Sequence, residues 1–342
     1  MNTQPIKKMT SYERVMNRME GKPVDKIPNM NITMAFAAHF VGATYKEFCT
    51  NYKVLVESKI AVSEEFGVDI VSAISDPMRE AHGFGAKVII PEDDVPFCKE
   101  YLIADLSNIN NLNPTNPLDN ERMLDRVRAI ELFKASVGKR YPIVGWVEGA
   151  LADATDLRDI SQVMMDLMLN PEPIVDLFEK IYEQQKAFAK VQIDAGADFV
   201  GIGNAAASLI GPQLYEQFCL EYDKRIIKDI HDMGAKAKLH ICGKTQPLYE
   251  LLVKTEADIF DVDHVNDFNL AINTFKGTKT LANGNFDPVT DMMSASEEHV
   301  VDAVKKCISV SDERTMISTG CEIPSSTPYE NMKAMNEALY LK

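Results

Sequence analysis

Three side chains in two distant segments are the best candidates for chemistry in this sequence. His240 and Cys242 are two residues apart in an apolar segment at 235–242, and Cys321 follows Gly320 at the end of another apolar segment. Alternate residues of a β-strand point to the same face, so His240 and Cys242 should project together. An imidazole and two thiolates form a donor set that Zn²⁺ prefers, and three protein ligands leave one coordination position open for a substrate.

The alternative interpretation of the same residues is structural. Free cysteines are among the most deeply buried residues of proteins, so Cys242 and Cys321 could pack in the core beside a buried His240. Spacing alone leaves both interpretations open. We expect the four remaining cysteines, at positions 49, 98, 219 and 307, to be structural.

Acidic and amide side chains follow other apolar segments. Asp76 follows the second predicted strand, Glu148 the third, Asn204 the fourth and Asp263 the sixth. We expect Glu148 and Asp263 to act in catalysis, as proton relays or as a fourth metal ligand. Asp76 and Asn204 are expected to bind the substrate. Each of these side chains could instead be a helix cap or a solvated loop charge.

The elements that must position these residues alternate along the chain. Eight apolar β-type segments, most of them followed by helical periodicity, lie at residues 27–34, 68–74, 142–147, 197–203, 235–242, 258–263, 280–284 and 315–320. Parallel strands need crossover connections, which are usually helices, so the alternation predicts an α/β fold with a closed (β/α)8 TIM barrel. The carboxyl ends of its strands share one rim, where Cys242 and Cys321 would converge.

Two additions to the barrel are also predicted. A capping box at Thr10 and Glu13 predicts an N-terminal helix, and residues 87–94 predict a strand and a polar turn in an insertion after the second strand. We expect a single domain over residues 1–342. A doubly wound open sheet is the competing topology, but the nearest candidate for its glycine-rich turn, at 201–203, lacks the third glycine.

The composition excludes several classes of protein. The 342 residues include 36 Lys and Arg against 51 Asp and Glu, which gives a formal charge of −15. Such a charge repels polyanions, so we expect no nucleic-acid partner. The longest nearly apolar segment, at 32–43, is too short to span a bilayer, and the first residues lack the apolar region of a secretory signal. With six irregularly spaced cysteines, these features predict a cytoplasmic protein without a membrane span.

The chain resembles the uroporphyrinogen decarboxylase superfamily, and within it the zinc-dependent corrinoid methyltransferases. The resemblance covers nearly the whole length and rests on short motifs in a fixed order, which are Arg14-Val-Met-Asn-Arg-Met-Glu-Gly21-Lys-Pro23, Tyr215-Glu-Gln-Phe218, Gly284-Asn-Phe-Asp287-Pro288 and Thr327-Pro328. His240-x-Cys242 with the distant Cys321 matches the zinc ligands of those methyltransferases. The resemblance therefore implies a Zn²⁺ site at these three residues.

The resemblance also implies an activity and partners. Such a protein would move a methyl group between the cobalamin of a separate corrinoid protein and a small thiol or an O-, N- or S-methylated small molecule. A homodimer is a possible assembly. Glu148 and residues 204–208 depart from the thiol-using members, so the resemblance implies the metal site more firmly than the substrate.

Two alternative functions stay open. The decarboxylases' arginine-rich segment after the first strand has no counterpart in residues 31–39, which argues against a porphyrinogen substrate. A metal-free lyase of the decarboxylase type, with Asp76 stabilising a cationic intermediate, is nevertheless the first alternative. The second is a non-enzymatic protein in which zinc is a structural ion beneath a binding surface.

Overall fold

A curled sheet of parallel strands forms the centre of the computed structural model, which describes residues 8–340. The strands are near-continuous apolar runs because crossover helices cover the outer face of the sheet. Neighbours in the sheet follow the order of the chain. In sheet order the seven strands are β1 (Val71–Ser72), β4 (Ile143–Glu148), β5 (Phe199–Gly203), β6 (Lys236–His240), β7 (Ile259–Val262), β8 (Leu281–Phe286) and β9 (Met316–Thr319).

The predicted first strand, at 27–34, contributes only a single parallel bridge, between Asn29 and Ile317. The amide of Met30 donates to the Ile317 carbonyl over 3.1 Å, and the Asp69 amide donates to the Asn29 carbonyl over 2.8 Å. Ile317 of β9 and Asp69, two residues before β1, are thereby tied to the same short segment, which closes the barrel. Pro28 has no N–H to donate, and the Asn29 amide donates to the Asp69 carboxylate instead of a strand (2.8 Å), so no regular ladder forms.

The insertion predicted after the second strand is present between β1 and β4. It contains a small antiparallel hairpin of β2 (Val88–Ile89) and β3 (Phe97–Cys98), joined by the predicted polar turn. The Ile103 amide beyond the hairpin donates to the carbonyl of Leu157, in the helix that follows β4, over 2.8 Å. The insertion therefore packs against the helix that follows β4.

Helices alternate with the strands, as predicted. The predicted capping box begins the first helix, where the Thr10 side chain accepts from the Glu13 amide. The helices are α1 (Ser11–Met19), α2 (Ala35–Phe40), α3 (Tyr45–Thr50), α4 (Tyr52–Phe66), α5 (Arg79–Gly83), α6 (Glu121–Val137), α7 (Ala150–Arg158), α8 (Ile160–Leu169), α9 (Pro171–Asp194), α10 (Gly211–Leu214), α11 (Leu220–Asp232), α12 (Tyr249–Val253), α13 (Phe268–Phe275), α14 (Glu297–Val310) and α15 (Tyr329–Ala338). Within residues 8–340, none of the helices is both long and apolar enough to cross a membrane.

The register of the central strands defines one layer of side chains near the rim. Glu148 pairs with Gly203, Gly203 with His240, His240 with Asp261, and Asp261 with Asn283. Directly paired residues of parallel strands point to the same face, so this rim layer faces the barrel interior. The predicted (β/α)8 barrel thus brings residues from five strands to one level.

Candidate metal centre

The three predicted ligands meet at the rim of the barrel. His240 is the last residue of β6, Cys242 follows it by two residues, and Cys321 lies two residues after β9. The His240 Nε2 atom is 3.0 Å from the Cys242 Sγ atom and 3.9 Å from the Cys321 Sγ atom. The two sulfur atoms are 3.5 Å apart. The prediction that these side chains converge is confirmed.

The spacing of the donor atoms fits a tetrahedral zinc ion. Two zinc–sulfur bonds of ~2.3 Å at a tetrahedral angle separate their sulfur atoms by about 3.8 Å, and a zinc–nitrogen bond with a zinc–sulfur bond separates the donors by about 3.6 Å. The observed distances scatter around these values. In the described part of the chain, the group of His, Cys, Asp and Glu side chains close enough to share an ion comprises these three residues. The carboxylates considered as a fourth ligand do not join it.

A carboxylate fixes the orientation of the histidine. The Asp261 Oδ2 atom lies 2.8 Å from the His240 Nδ1 atom, which leaves Nε2 to face the sulfur atoms. Asn283 donates to the other carboxylate oxygen over 2.8 Å, and the Lys238 ammonium also contacts Asp261. Burial raises the pKa of Asp261, but Lys238 and His240 outweigh burial and lower it. Such carboxylate–histidine pairs are usual behind metal-bound imidazoles.

The electrostatic environment shifts the pKa values of the two thiols in opposite directions. The Sγ atoms of Cys242 and Cys321 lie within hydrogen-bond distance, and this hydrogen bond, together with His240, lowers the pKa of Cys321, although burial opposes this. The same hydrogen bond and burial raise the pKa of Cys242. Burial lowers the pKa of His240, but Cys242 and Asp261 together raise it well above its usual value. Cys321 is therefore the more acidic of the two thiols.

Asp263 holds the loop that carries Cys242 rather than facing the other donors. Its Oδ2 atom accepts the Gly243 amide over 2.6 Å. Gly320 packs against the same place, because a Cβ atom there would collide with the His264 backbone nitrogen and lie 3.0 Å from the Asp263 Cα atom. The end of β7 therefore positions both sulfur-bearing loops.

Glu148 is buried in the rim layer, two strands from His240. Its Oε1 atom lies 2.8 Å from the Arg79 Nη2 atom and accepts from the Trp146 Nε1 atom over 3.1 Å. The Trp146 ring in turn lies 6.1 Å from the His240 ring, centroid to centroid. Burial raises the pKa of Glu148, with Arg79 opposing and Glu80 adding to the rise.

Asp76 and Asn204 are both buried near the rim and engaged by protein groups. The Asp76 carboxylate pairs with the Arg122 guanidinium, and Arg122 lowers its pKa although burial raises it. The Asn204 amide group donates to Asp223 over 3.1 Å, whereas its Oδ1 atom is buried without a hydrogen-bond partner. Asn204 thus keeps one free acceptor, whereas the Asp76 carboxylate is paired with Arg122.

Sequence reasoning missed several residues of this region. Asp261 lies two residues before Asp263, and strand alternation could have placed both on one face. Asp153 is entirely buried, with neither carboxylate oxygen hydrogen-bonded to any part of the described chain. No sequence signal marks it, because an acidic residue in a helical segment is most often exposed. The cysteines at 49, 98, 219 and 307 are buried and free, as expected of structural residues.

Comparison with known proteins extends over the whole fold. The sequence profile of the uroporphyrinogen decarboxylase (URO-D) family matches residues 10–340. The chain is 26% identical over 338 residues to the methylcobamide:CoM methyltransferase MtbA of Methanosarcina acetivorans, covering 96% of this chain and 98% of that one. It is 25% identical over 357 residues to MtaA of Methanosarcina barkeri, covering 96% and 97%. It is 21% identical over 307 residues to a uroporphyrinogen decarboxylase of Carboxydothermus hydrogenoformans, covering 87% and 85%.

Solved structures confirm the architecture. A methyltransferase from Methanosarcina mazei superposes with a TM-score of 0.88 at 21% identity, over 96% of this chain and 98% of that chain. A B12-independent methionine synthase from Shewanella has a TM-score of 0.57 at 14% identity, over 84% and 86%. The family profile covers almost all of the described residues, so this protein belongs to the uroporphyrinogen decarboxylase family.

Proposed function

We propose that this protein is a zinc-dependent methyltransferase. It would move a methyl group between the cobalamin of a separate corrinoid protein and a small thiol or an O-, N- or S-methylated small molecule. The observation that carries the proposal is the convergence of His240, Cys242 and Cys321, whose donor atoms all lie within 4.8 Å of one another. Several relatives over the full length are named as methylcobamide:CoM methyltransferases, which supports the same class of reaction.

Different residues would bind the ion and orient its ligands at the metal centre. His240, Cys242 and Cys321 would hold the ion, and Asp261 keeps the imidazole aimed at it. When bound, Zn²⁺ supplies Lewis-acid chemistry, which lowers the pKa of a coordinated thiol or polarises a methylated heteroatom. The Gly243 amide donates to Asp263, which keeps the loop after Cys242 in place.

The remaining predicted site residues take roles around that centre. We propose that Glu148, a buried acid with a raised pKa, exchanges a proton with the substrate heteroatom. Asp263 is a positioning residue. Asn204 offers its unpartnered Oδ1 atom to a donor group of the substrate, and Asp76 orients Arg122 on the same side.

The cellular setting follows from the same chemistry. The six cysteines are all free, which supports a reducing compartment, and we propose the cytoplasm. The corrinoid is proposed to arrive on a partner protein, because the described chain is used by the barrel and its insertion. The single domain and the homodimer stay predictions, as does the absence of a nucleic-acid partner.

Metal analysis and a transfer assay test the proposal together. We expect about one zinc per chain by mass spectrometry, lost in Cys242→Ala and Cys321→Ala and retained in the control Cys307→Ala. Under anaerobic conditions, absorbance should report methyl transfer between free cobalamin and candidate thiols or methylated compounds. Metal-free protein that transfers no methyl group would contradict the proposal and favour the lyase.

A further inference from the structure

Two of the six cysteines face each other at the metal centre. The Sγ atoms of Cys242 and Cys321 are 3.5 Å apart, and both residues are partly exposed. Exposure and a neighbouring thiol are features that cysteines sensitive to oxidants share. This pair of thiols therefore has a possible chemistry besides metal binding.

The other four cysteines, at positions 49, 98, 219 and 307, are buried. Cys98 is the least buried of them at 9% exposure, and its sulfur atom lies 3.8 Å from the Met78 sulfur. A thioether cannot form a disulfide with a thiol. Oxidation within one chain should therefore be directed to Cys242 and Cys321.

The backbone holds these two side chains face to face without an ion. The Gly243 amide donates to Asp263 over 2.6 Å, which fixes the residue after Cys242. The Thr319 hydroxyl donates to the Cys321 carbonyl over 2.6 Å. Both loops are thus anchored by hydrogen bonds that do not involve the sulfur atoms, so the two thiols stay neighbours when no metal ion is bound.

The movement that a disulfide needs is small. A disulfide has an S–S length of about 2.05 Å, so the sulfur atoms must approach each other by about 1.5 Å. Rotation of each side chain by about 30° about its Cα–Cβ bond moves each sulfur atom by roughly 0.9 Å. Each cysteine lies two residues beyond the end of its strand, β6 or β9. The sheet can therefore stay intact while the bond forms.

A disulfide and a bound metal ion exclude each other at this site. Zinc binds the thiolate form of cysteine, and the sulfur atoms of a disulfide are no longer thiolates. Oxidation would remove two of the three candidate ligands and leave the His240 imidazole alone. It should therefore release the ion, and a bound ion should in turn protect the thiols.

We infer that Cys242 and Cys321 form a reversible disulfide, which releases the metal ion and switches the site off under oxidising conditions. The inference rests on the proposed function, because it concerns the ligands of the proposed zinc ion. It adds a modification site to that centre.

Hydrogen peroxide is the oxidant in the reaction that we consider. One thiol attacks a peroxide oxygen, the O–O bond breaks, and a sulfenic acid forms as the first water molecule leaves. The second thiol attacks the sulfenic sulfur, the S–O bond breaks, and the second water molecule leaves. Two thiols thus give two electrons and two protons to one peroxide. In the zinc form the solvent supplies both protons, the zinc ion leaves as Zn²⁺, and a dithiol reductant reverses the disulfide.

Thiol counting and mass spectrometry test the disulfide. Metal-free protein is prepared with a chelator under anaerobic conditions, treated with equimolar hydrogen peroxide, alkylated, and analysed intact and as peptides. We expect the loss of two of the six thiols, a cross-linked peptide that joins Cys242 to Cys321, and recovery of both thiols with dithiothreitol. Zinc-loaded protein should react more slowly and release about one zinc ion per disulfide, which a chromogenic chelator measures.

A variant pair attributes the reaction to these two residues. Cys242→Ser leaves Cys321 without a neighbouring thiol, so peroxide should give no cross-link within the chain. The matched control Cys98→Ala removes the least buried of the other cysteines and should still lose two thiols and form the cross-link. An equal loss of thiols in Cys242→Ser and the wild type would contradict the inference.

The outcomes separate this inference from the proposed function. If peroxide oxidises either sulfur to a sulfinic acid that dithiothreitol does not reduce, or if the disulfide forms while zinc stays bound, the inference is wrong and the metal centre stands. If the reduced protein takes up no zinc, the proposed function fails, and the inference fails with it because it requires the release of that ion.

Discussion

The Asp261 carboxylate lies 2.8 Å from the Nδ1 atom of His240 and so determines which imidazole nitrogen faces the two sulfur atoms. Both residues belong to the rim layer and are paired in register across β6 and β7. The orientation of the candidate ligand is therefore built into the sheet itself. A site held by strands is more rigid than one built on loops, which favours a preformed metal centre.

Replacing Asp261 by Asn should weaken metal binding about 10- to 100-fold, since second-layer partners of metal-bound histidines have effects of this size. The amide keeps the shape of the carboxylate but lacks its negative charge, so it attracts the imidazole N–H less strongly. Competition with a chromogenic chelator measures the affinity, and Asp232→Asn on the exposed end of α11 is the control. An unchanged zinc affinity would show that Asp261 serves only Lys238.

Gly320→Ala should displace the loop that carries Cys321. Its Cβ atom would collide with backbone atoms of His264 and Asp263, which cannot rotate away. We expect a loss of about 1–3 kcal/mol in the free energy of unfolding, as for overpacked sites, together with a lower zinc content. Denaturant unfolding and metal analysis test both effects.

Gly83→Ala is the matched control for that substitution. The new methyl group would meet the mobile end of the Met123 side chain, 2.5 Å away, and not backbone. It should therefore cost less stability and leave the zinc content unchanged. Equal metal loss in both variants would count against a specific role of the close approach at Gly320.

Asp153→Asn should change how stability depends on pH. Burial and Glu80 raise the pKa of Asp153 in the folded protein, so the folded state holds a proton that the unfolded chain releases above about pH 4. Stability in the wild type therefore falls as pH rises from about 4 toward the raised pKa, and this contribution disappears in the variant. The melting temperature of the variant relative to the wild type should be about 2 °C or more higher at pH 8 than at pH 5.

The neighbours of Asp153 define the control for that measurement. Glu80, Glu148 and Asp156 act in the same direction, and Arg79 opposes them. Asp176→Asn, on the exposed face of α9, should differ from the wild type in melting temperature by the same amount across this pH range. If the melting-temperature difference between Asp153→Asn and the wild type is also constant with pH, the Asp153 carboxyl of the wild type titrates normally.

Asp69→Ala should destabilise the fold strongly. The Asp69 carboxylate lies 2.6 Å from Arg14 and 3.2 Å from Lys26 and accepts the Asn29 amide over 2.8 Å. Its removal leaves two buried cations with one fewer partner, and losses of about 3–5 kcal/mol are usual for broken buried pairs. Urea unfolding measures the loss, with the exposed Asp302→Ala as control. A loss below about 1 kcal/mol in the free energy of unfolding would contradict the role of Asp69 as the buried partner of Arg14 and Lys26.

Strand alternation and the rule that barrel sites lie at the carboxyl ends of strands were sufficient to predict the meeting of His240, Cys242 and Cys321. Both arguments depend only on periodicity, which the sequence records directly. The Asp261 contact depends on the register between two strands, which the sequence does not record. The burial of Asp153 is harder still to predict, because it depends on tertiary packing that no local sequence pattern records.

The predicted strand at 27–34 shows a different limit. Its apolar composition favours a strand, but Pro28 removes a backbone donor and the Asp69 carboxylate takes the Asn29 amide. Local propensity cannot anticipate that a side chain 40 positions away replaces a neighbouring strand. The barrel prediction is nevertheless confirmed, because the other seven predicted segments form the sheet.

Only the short segment at residues 28–30 closes the barrel between β9 and β1, and we call its contacts with Ile317 and Asp69 the seam. We expect the barrel to open most easily at this seam. A few backbone bonds join it to its neighbours, whereas β4 and β5 pair continuously from Val144 to Glu148. Cys321 lies two residues after β9, which borders the seam. Opening of the seam would therefore move the Cys321 sulfur relative to His240 and Cys242. A bound ion would hold Cys321 close to His240 and Cys242 and so stabilise the closed seam. Amide hydrogen exchange at Met30 and Ile317 should therefore slow far more on metal loading than exchange in β4.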